Sequence, residues 1–142
     1  MPIKNVFAEI QTLKEGISNL SVEDLTALAA QIESEDALLI DLREIQEVID
    51  LGTIPGAKHV PRGMLEFWAD PHSPYYRDFF QEHRKTIVFC AGGGRSVLAV
   101  LALKEMGFSD VSHLEVGFNG WQKAGGPVED FATTSKWMRK PS

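Results

Sequence analysis

The sequence predicts an α/β protein, with a parallel sheet covered by helices on both faces in a three-layer α/β/α arrangement. Two short runs, Ala37–Asp41 (ALLID) and Thr86–Phe89 (TIVF), are apolar without alternation, which marks strands buried on both faces. Strand-like runs alternate along the whole chain with segments of helical apolar spacing, and that order implies a parallel sheet. The 142 residues suit one domain, and 44% apolar with 24% charged residues is an ordinary globular composition.

In chain order, Ile3, Val6, Phe7, Ile10 and Leu13 form one helical stripe ending near Gly16. Residues 1–15 are therefore read as a helical extension packed on the main domain, 16–130. Ile17–Leu20 reads as a short strand. Ser21 with Asp24 resembles a capping box, and Leu25, Leu28, Ala29 and Ile32 continue as a helix. After the ALLID strand, Glu44–Leu51 is a helix stopped by Gly52, Pro55-Gly56 a turn, and Ala57–Val60 a short strand. Gly63–Ala69 and Tyr75–Arg84 read as short helices around a Pro71/Pro74 loop. The TIVF strand leads through Cys90-Ala-Gly-Gly-Gly-Arg-Ser into an apolar helix, Val97–Met106, which Gly107 caps. Val111–Leu114 is a strand and Gly117–Ala124 a last helix. Residues 131–142 are read as a tail docked through Trp137, and Trp121 as core.

Fourteen basic against twenty acidic residues give a net charge of −6. With no Lys/Arg block, neither a nucleic-acid partner nor an anionic membrane is predicted. The longest mid-chain apolar stretch, Val97–Leu103, is far short of the roughly 20 residues a membrane helix needs. Lys4, Glu9, Lys14 and Glu15 interrupt the N-terminal segment, so no signal peptide is expected. A single cysteine excludes an internal disulfide framework and fits a reducing, cytoplasmic setting.

That cysteine is the chemical candidate. Ligands of open parallel sheets sit beyond the carboxyl ends of the strands, and Cys90 directly follows one. The chain then enters a helix, whose first N–H groups and partial positive charge favour an anion. Gly92, Gly93 and Gly94 allow consecutive amides to curl inward as an anion nest, with Ala91 between them and the cysteine. Arg95 closes the loop with a permanent charge, and Ser96 can cap the helix or face the anion. These features favour thiolate over thiol, so a largely ionised Cys90 at neutral pH is expected. A P-loop would need Gly-Lys-Ser/Thr, absent here, and a dinucleotide fingerprint would need glycine where Val97 stands. A cysteine phosphatase remains a mechanistic rival at this point.

Three segments together resemble the rhodanese (sulfurtransferase) family. They are Asp41-Leu42-Arg43-Glu44; Gly52-Thr-Ile-Pro55-Gly56-Ala57-Lys58-His59-Val60-Pro61 with Arg62-Gly63; and the loop Cys90–Ser96 with Gly117-Phe-Asn-Gly120-Trp121 and Ala124-Gly-Gly-Pro127-Val128. The likeness covers about residues 17–128. It implies a central parallel sheet of about five strands and a persulfide intermediate on Cys90, held by Ala91, Gly92, Gly93, Gly94, Arg95 and Ser96. Rhodaneses place six residues from cysteine to arginine, as Cys90–Arg95 does. The related phosphatases and arsenate reductases have one more, for a wider cradle. The implied reaction passes a sulfane sulfur from a small anion such as thiosulfate, or from a protein persulfide, to cyanide or a thiol. With no second cysteine, the acceptor comes from outside. The loop is unlike the Cys-Gly-Ser/Thr-Gly-Val-Thr of mercaptopyruvate-using members. A non-enzymatic persulfide carrier or interaction module that hands sulfur to a partner is the alternative reading.

Asp41 and Arg43, at another strand's carboxyl end, read as a brace for the site. Arg62 and Lys58 could add positive potential at its mouth, although solvated charge is the default for them. Phe67, Trp68 and Tyr75 are read as packing before pocket walls. No pair among His59, His72, His83 and His113 has metal-ligand spacing, and neither metal nor cofactor is expected. A Cys–His hydrolase would need His59 or His72 to reach Cys90, which nothing in the spacing supports.

Overall fold

The computed structural model describes residues 2–131, and Trp137 lies outside them. Five strands form one sheet: β1 (Ser18–Leu20), β2 (Ala37–Asp41), β3 (Lys58–His59), β4 (Lys85–Phe89) and β5 (Val111–Leu114). Their order is β1-β5-β4-β2-β3, and every pairing is parallel. β4 sits centrally, with Ile87 opposite Leu39 on one side and Ser112 on the other. β2 connects outward to β3, whereas β4 connects the other way to β5. The sheet therefore reverses direction between β2 and β4, where a crevice opens beyond the strands' carboxyl ends.

The helices are α1 (Val6–Leu13), α2 (Val22–Ala27), α3 (Ala29–Glu33), α4 (Ile45–Leu51), α5 (Leu65–Ala69), α6 (Gly94–Met106) and α7 (Gly117–Lys123). Strand pleating sorts their contacts, because successive side chains face opposite ways. Leu38, Ile40 and Val88 meet Leu65, Ala69, Val100 and Leu103 of α5 and α6. Ala37, Leu39, Ile87 and Phe89 meet Leu25, Ile32, Phe118 and Trp121 of α2, α3 and α7. α1 lies against α6, with Ile10 as its buried residue, while Ile3 and Phe7 of the predicted stripe are exposed.

The capping box forms as read: Asp24 N–H donates to Ser21 Oγ at 3.1 Å, and Ser21 N–H to Asp24 Oδ2 at 2.9 Å. The helix beyond it is broken at Leu28 (φ −93°, ψ 1°), so the expected Leu25–Ile32 helix is two short ones. The expected helix over Tyr75–Arg84 is absent. Separate three-residue turns, such as Phe80 N–H to Arg77 O and Arg84 N–H to Gln81 O, replace it. The reason is packing: the adjacent Phe79 and Phe80 both turn onto the α5/α6 core, which a helix would splay apart. Trp68 packs on the same core, whereas Phe67 and Tyr75 are exposed. No described helix is long and apolar enough to cross a membrane.

Candidate active site

Cys90 follows the last residue of the central strand, so pleating puts its side chain on the α6 face together with Val88. It is 1% exposed, yet its sulfur has polar neighbours. Gly93 N–H donates to Sγ at 3.1 Å, and Ser96 Oγ lies 3.6 Å away. The sulfur thus sits at the start of α6, where the helix's partial positive charge is concentrated.

Three close approaches shape the loop. Gly93 is the N-cap of α6 in a left-handed conformation (φ 101°), and an added Cβ would lie 2.4 Å from Glu115 O. Gly117 (φ 65°) lies so close to the loop that its Cβ would meet Ala91 O at 2.4 Å. The start of α7 grips the loop from outside: Phe118 N–H donates to Cys90 O at 2.8 Å and Asn119 N–H to Ala91 O at 3.0 Å. In trans peptides the following amides, of Ala91 and Gly92, then face away from α7. Of the three loop glycines only Gly93 has positive φ. A Cβ on Gly92 would meet open space, and one on Gly94 only an ordinary contact with Ile10. The expected run of three sterically required glycines is therefore one.

Arg95 differs from expectation in where its fork points. Its Nη1 and Nη2 donate to Glu47 Oε1 and Oε2 of α4, at 2.8 and 3.1 Å. That bond holds the Glu47 carboxyl below its usual range and raises Arg95, to which the nearby Cys90 adds a smaller electrostatic contribution. Both side chains are about one-third exposed, so the pair is reachable by a competing anion. Ser96 does not cap the helix. It is the third residue of α6 and lies between Cys90 Sγ and His113 Nδ1, 2.8 Å from the latter.

Asp41 and Arg43 are fully buried and brace the neighbouring loop. Arg43 Nε and Nη2 donate to Asp41 at 3.0 and 2.8 Å, and Thr53 Oγ1 donates to Asp41 Oδ2 at 2.8 Å. Arg43 Nη2 also reaches Gly52 O, and the guanidinium lies 4.0 Å over the Phe118 ring. Among the described residues its Nη1 has no hydrogen-bond partner, and the electron-rich ring face compensates for that. Arg62 pairs with Glu66 at 2.7 Å, and Lys58 with Glu35 at 3.4 Å; both pairs are partly solvated. His59 Nε2 bonds Arg43 O, and His72 is exposed. The histidine linked to Cys90 is His113, through Ser96.

Glu47, Gly117, His113 and Asn19 escaped the sequence reading as site residues. Glu47 had a usable signal, since it stands one helical turn beyond Asp41-Leu42-Arg43. His113 had one as well: it alternates with Val111 on a strand neighbouring the TIVF run.

A rhodanese-like domain model matches residues 24–124. A solved Rhodopseudomonas palustris protein of unknown function, described as a possible tyrosine phosphatase, is 40% identical over 91% of this chain and 99% of its own, with a TM-score of 0.82. The Wolinella succinogenes polysulfide-sulfur transferase, a homodimer, is 29% identical over 86% of this chain and 85% of its own, with a TM-score of 0.68. A candidate sulfur carrier protein of Bacillus subtilis is 29% identical over 108 residues, which are 75% of this chain and 54% of that one. The chain spans about half or less of the length of such curated relatives. The chain belongs to the rhodanese-like domain family.

Proposed function

We propose that the protein is a sulfurtransferase that carries a sulfane sulfur on Cys90. The observation behind this is the position of Sγ. It lies at the sheet's reversal point, at the start of α6, with Gly93 N–H already donating to it. The Cys90 thiolate attacks the outer sulfur of thiosulfate or of a persulfide donor. The new S–S bond forms as the donor's own breaks, and sulfite or a thiolate leaves with the bonding pair. Loop N–H groups and the α6 dipole stabilise the charge on the terminal sulfur, as preorganised donors stabilise an oxyanion. Gly92, which has no side chain and faces open space, leaves room for the approach. Cyanide or an external thiol then removes the sulfur. Covalent catalysis of this kind predicts ping-pong kinetics. Arg95 serves donor anions that displace Glu47.

The resemblance to a possible tyrosine phosphatase keeps phosphate-ester cleavage as the second reading. The six-residue span from Cys90 to Arg95 favours a single sulfur over a phosphate. Intact mass spectrometry after incubation with thiosulfate separates the two. A gain of one sulfur, removed by cyanide and absent in Cys90→Ser, supports sulfur transfer. Hydrolysis of an aryl phosphate without that gain supports the phosphatase.

A further inference from the structure

A hydrogen-bonded chain that sulfur transfer as described leaves unused runs from β1 across the sheet to Cys90. Asn19 donates its amide to Lys14 O at 2.9 Å and Ile17 O at 3.0 Å, which turns Oδ1 toward β5. Oδ1 lies 2.7 Å from His113 Nε2. An amide oxygen only accepts, so Nε2 carries the ring hydrogen and Nδ1 keeps a lone pair. Ser96 Oγ, 2.8 Å from Nδ1, must donate to it. Its own lone pairs are then left for the Cys90 S–H, 3.6 Å away. Every hydrogen in the chain is assigned, and each points toward the buried imidazole or on to Asn19. The charged groups that act on the ring are Lys14 before β1 and Glu115 after β5, paired with each other at 3.6 Å. β1 brings Asn19 alone, and β4 leads to Cys90.

We propose that Asn19, His113 and Ser96 form a proton relay. It accepts the Cys90 proton as the nucleophile ionises, and returns it when an incoming thiol takes the sulfur. The inference rests on Cys90 being the nucleophile proposed above. In the first half, the S–H proton passes to Ser96 Oγ while the Ser96 hydroxyl proton passes to His113 Nδ1. Thiol and neutral ring become thiolate and imidazolium, with no net charge change. The thiolate then takes the outer sulfur of thiosulfate, and sulfite leaves. In the second half, an acceptor R–S–H loses its proton to solvent and its sulfur bonds to the outer sulfur. The Cys90 S–S bond breaks, R–S–S⁻ departs, and Cys90 recovers the proton from His113 through Ser96. His113 and Asn19 are positioning residues acting through Ser96.

The direct test follows His113 by ¹⁵N NMR of imidazole-labelled full chain at pH 7, before and after thiosulfate, with the persulfide checked by mass in the same sample. The relay predicts the neutral Nε2–H ring in Cys90→Ser and, in the persulfidated wild type, an imidazolium that the negative persulfide holds against the burial which otherwise keeps the ring neutral at this pH. A persulfide beside a neutral His113 overturns the relay and leaves sulfur transfer intact, whereas absence of persulfide overturns the sulfur-transfer reading itself. Alkylation of resting Cys90 by iodoacetamide gives a second readout. His113→Gln, which accepts the Ser96 hydrogen bond but no proton, should slow it about tenfold at pH 7. Asn19→Asp, whose carboxylate steadies the imidazolium, should speed it. Wild-type rates in both variants would refute the relay.

Discussion

Acidification should destabilise the protein through His113 in a calculable way. Burial foremost, and then the Lys14 charge, push this imidazole down to about 4, with Glu115 opposing. The unfolded chain binds a proton there near 6.5, the folded chain only near 4. Between these values the unfolded state holds more protons, so stability is complete above about pH 6.5 and falls as pH drops toward 4. The gap corresponds to roughly 3 kcal/mol, a large fraction of a small domain's total. Urea unfolding followed by tryptophan fluorescence at pH 7 and pH 4, on wild type and His113→Gln, isolates the contribution from that of the carboxylates. The wild type should lose roughly 3 kcal/mol more than the variant over this interval. Parallel losses in the two proteins would refute the reasoning.

Gly93→Ala should destabilise by at least about 2 kcal/mol and abolish persulfide formation, since the left-handed φ and the 2.4 Å approach to Glu115 O admit no Cβ; unfolding and intact mass read both effects. Arg43→Met should cost about 3–5 kcal/mol, because it strands the buried Asp41 carboxylate, and a loss under about 1 kcal/mol in urea would contradict the brace. Glu47→Gln should raise kcat/KM for thiosulfate about fivefold by releasing Arg95 to the donor anion, given the worth of an ion pair about one-third exposed; unchanged or lower values in steady-state assays would show that Glu47 does not compete.

The parallel sheet was legible because ALLID and TIVF bury both faces, and such runs have few other homes. The position of Cys90 between the central strand and α6 was legible for a related reason, since a strand end followed by a glycine turn and a helix has one outcome in an open sheet. The Tyr75–Arg84 turns were not legible, because Phe79 and Phe80 follow core contacts with residues distant in sequence. Arg95 pointed to the loop by its position in the chain, but its fork is set by Glu47, 48 residues away. The Asn19–His113 contact joins residues 94 apart, and no local period records it. Loop chemistry could be read locally, whereas side-chain orientation depended on which elements the sheet order made neighbours.

The central claim is that Cys90 carries a single transferable sulfur. Intact mass spectrometry of the full chain after thiosulfate tests it most directly. The mass should rise by one sulfur atom in wild type, return on adding cyanide, and stay constant in Cys90→Ser. An unchanged wild-type mass with thiosulfate and with a persulfide donor, in protein shown to be folded, would contradict the account.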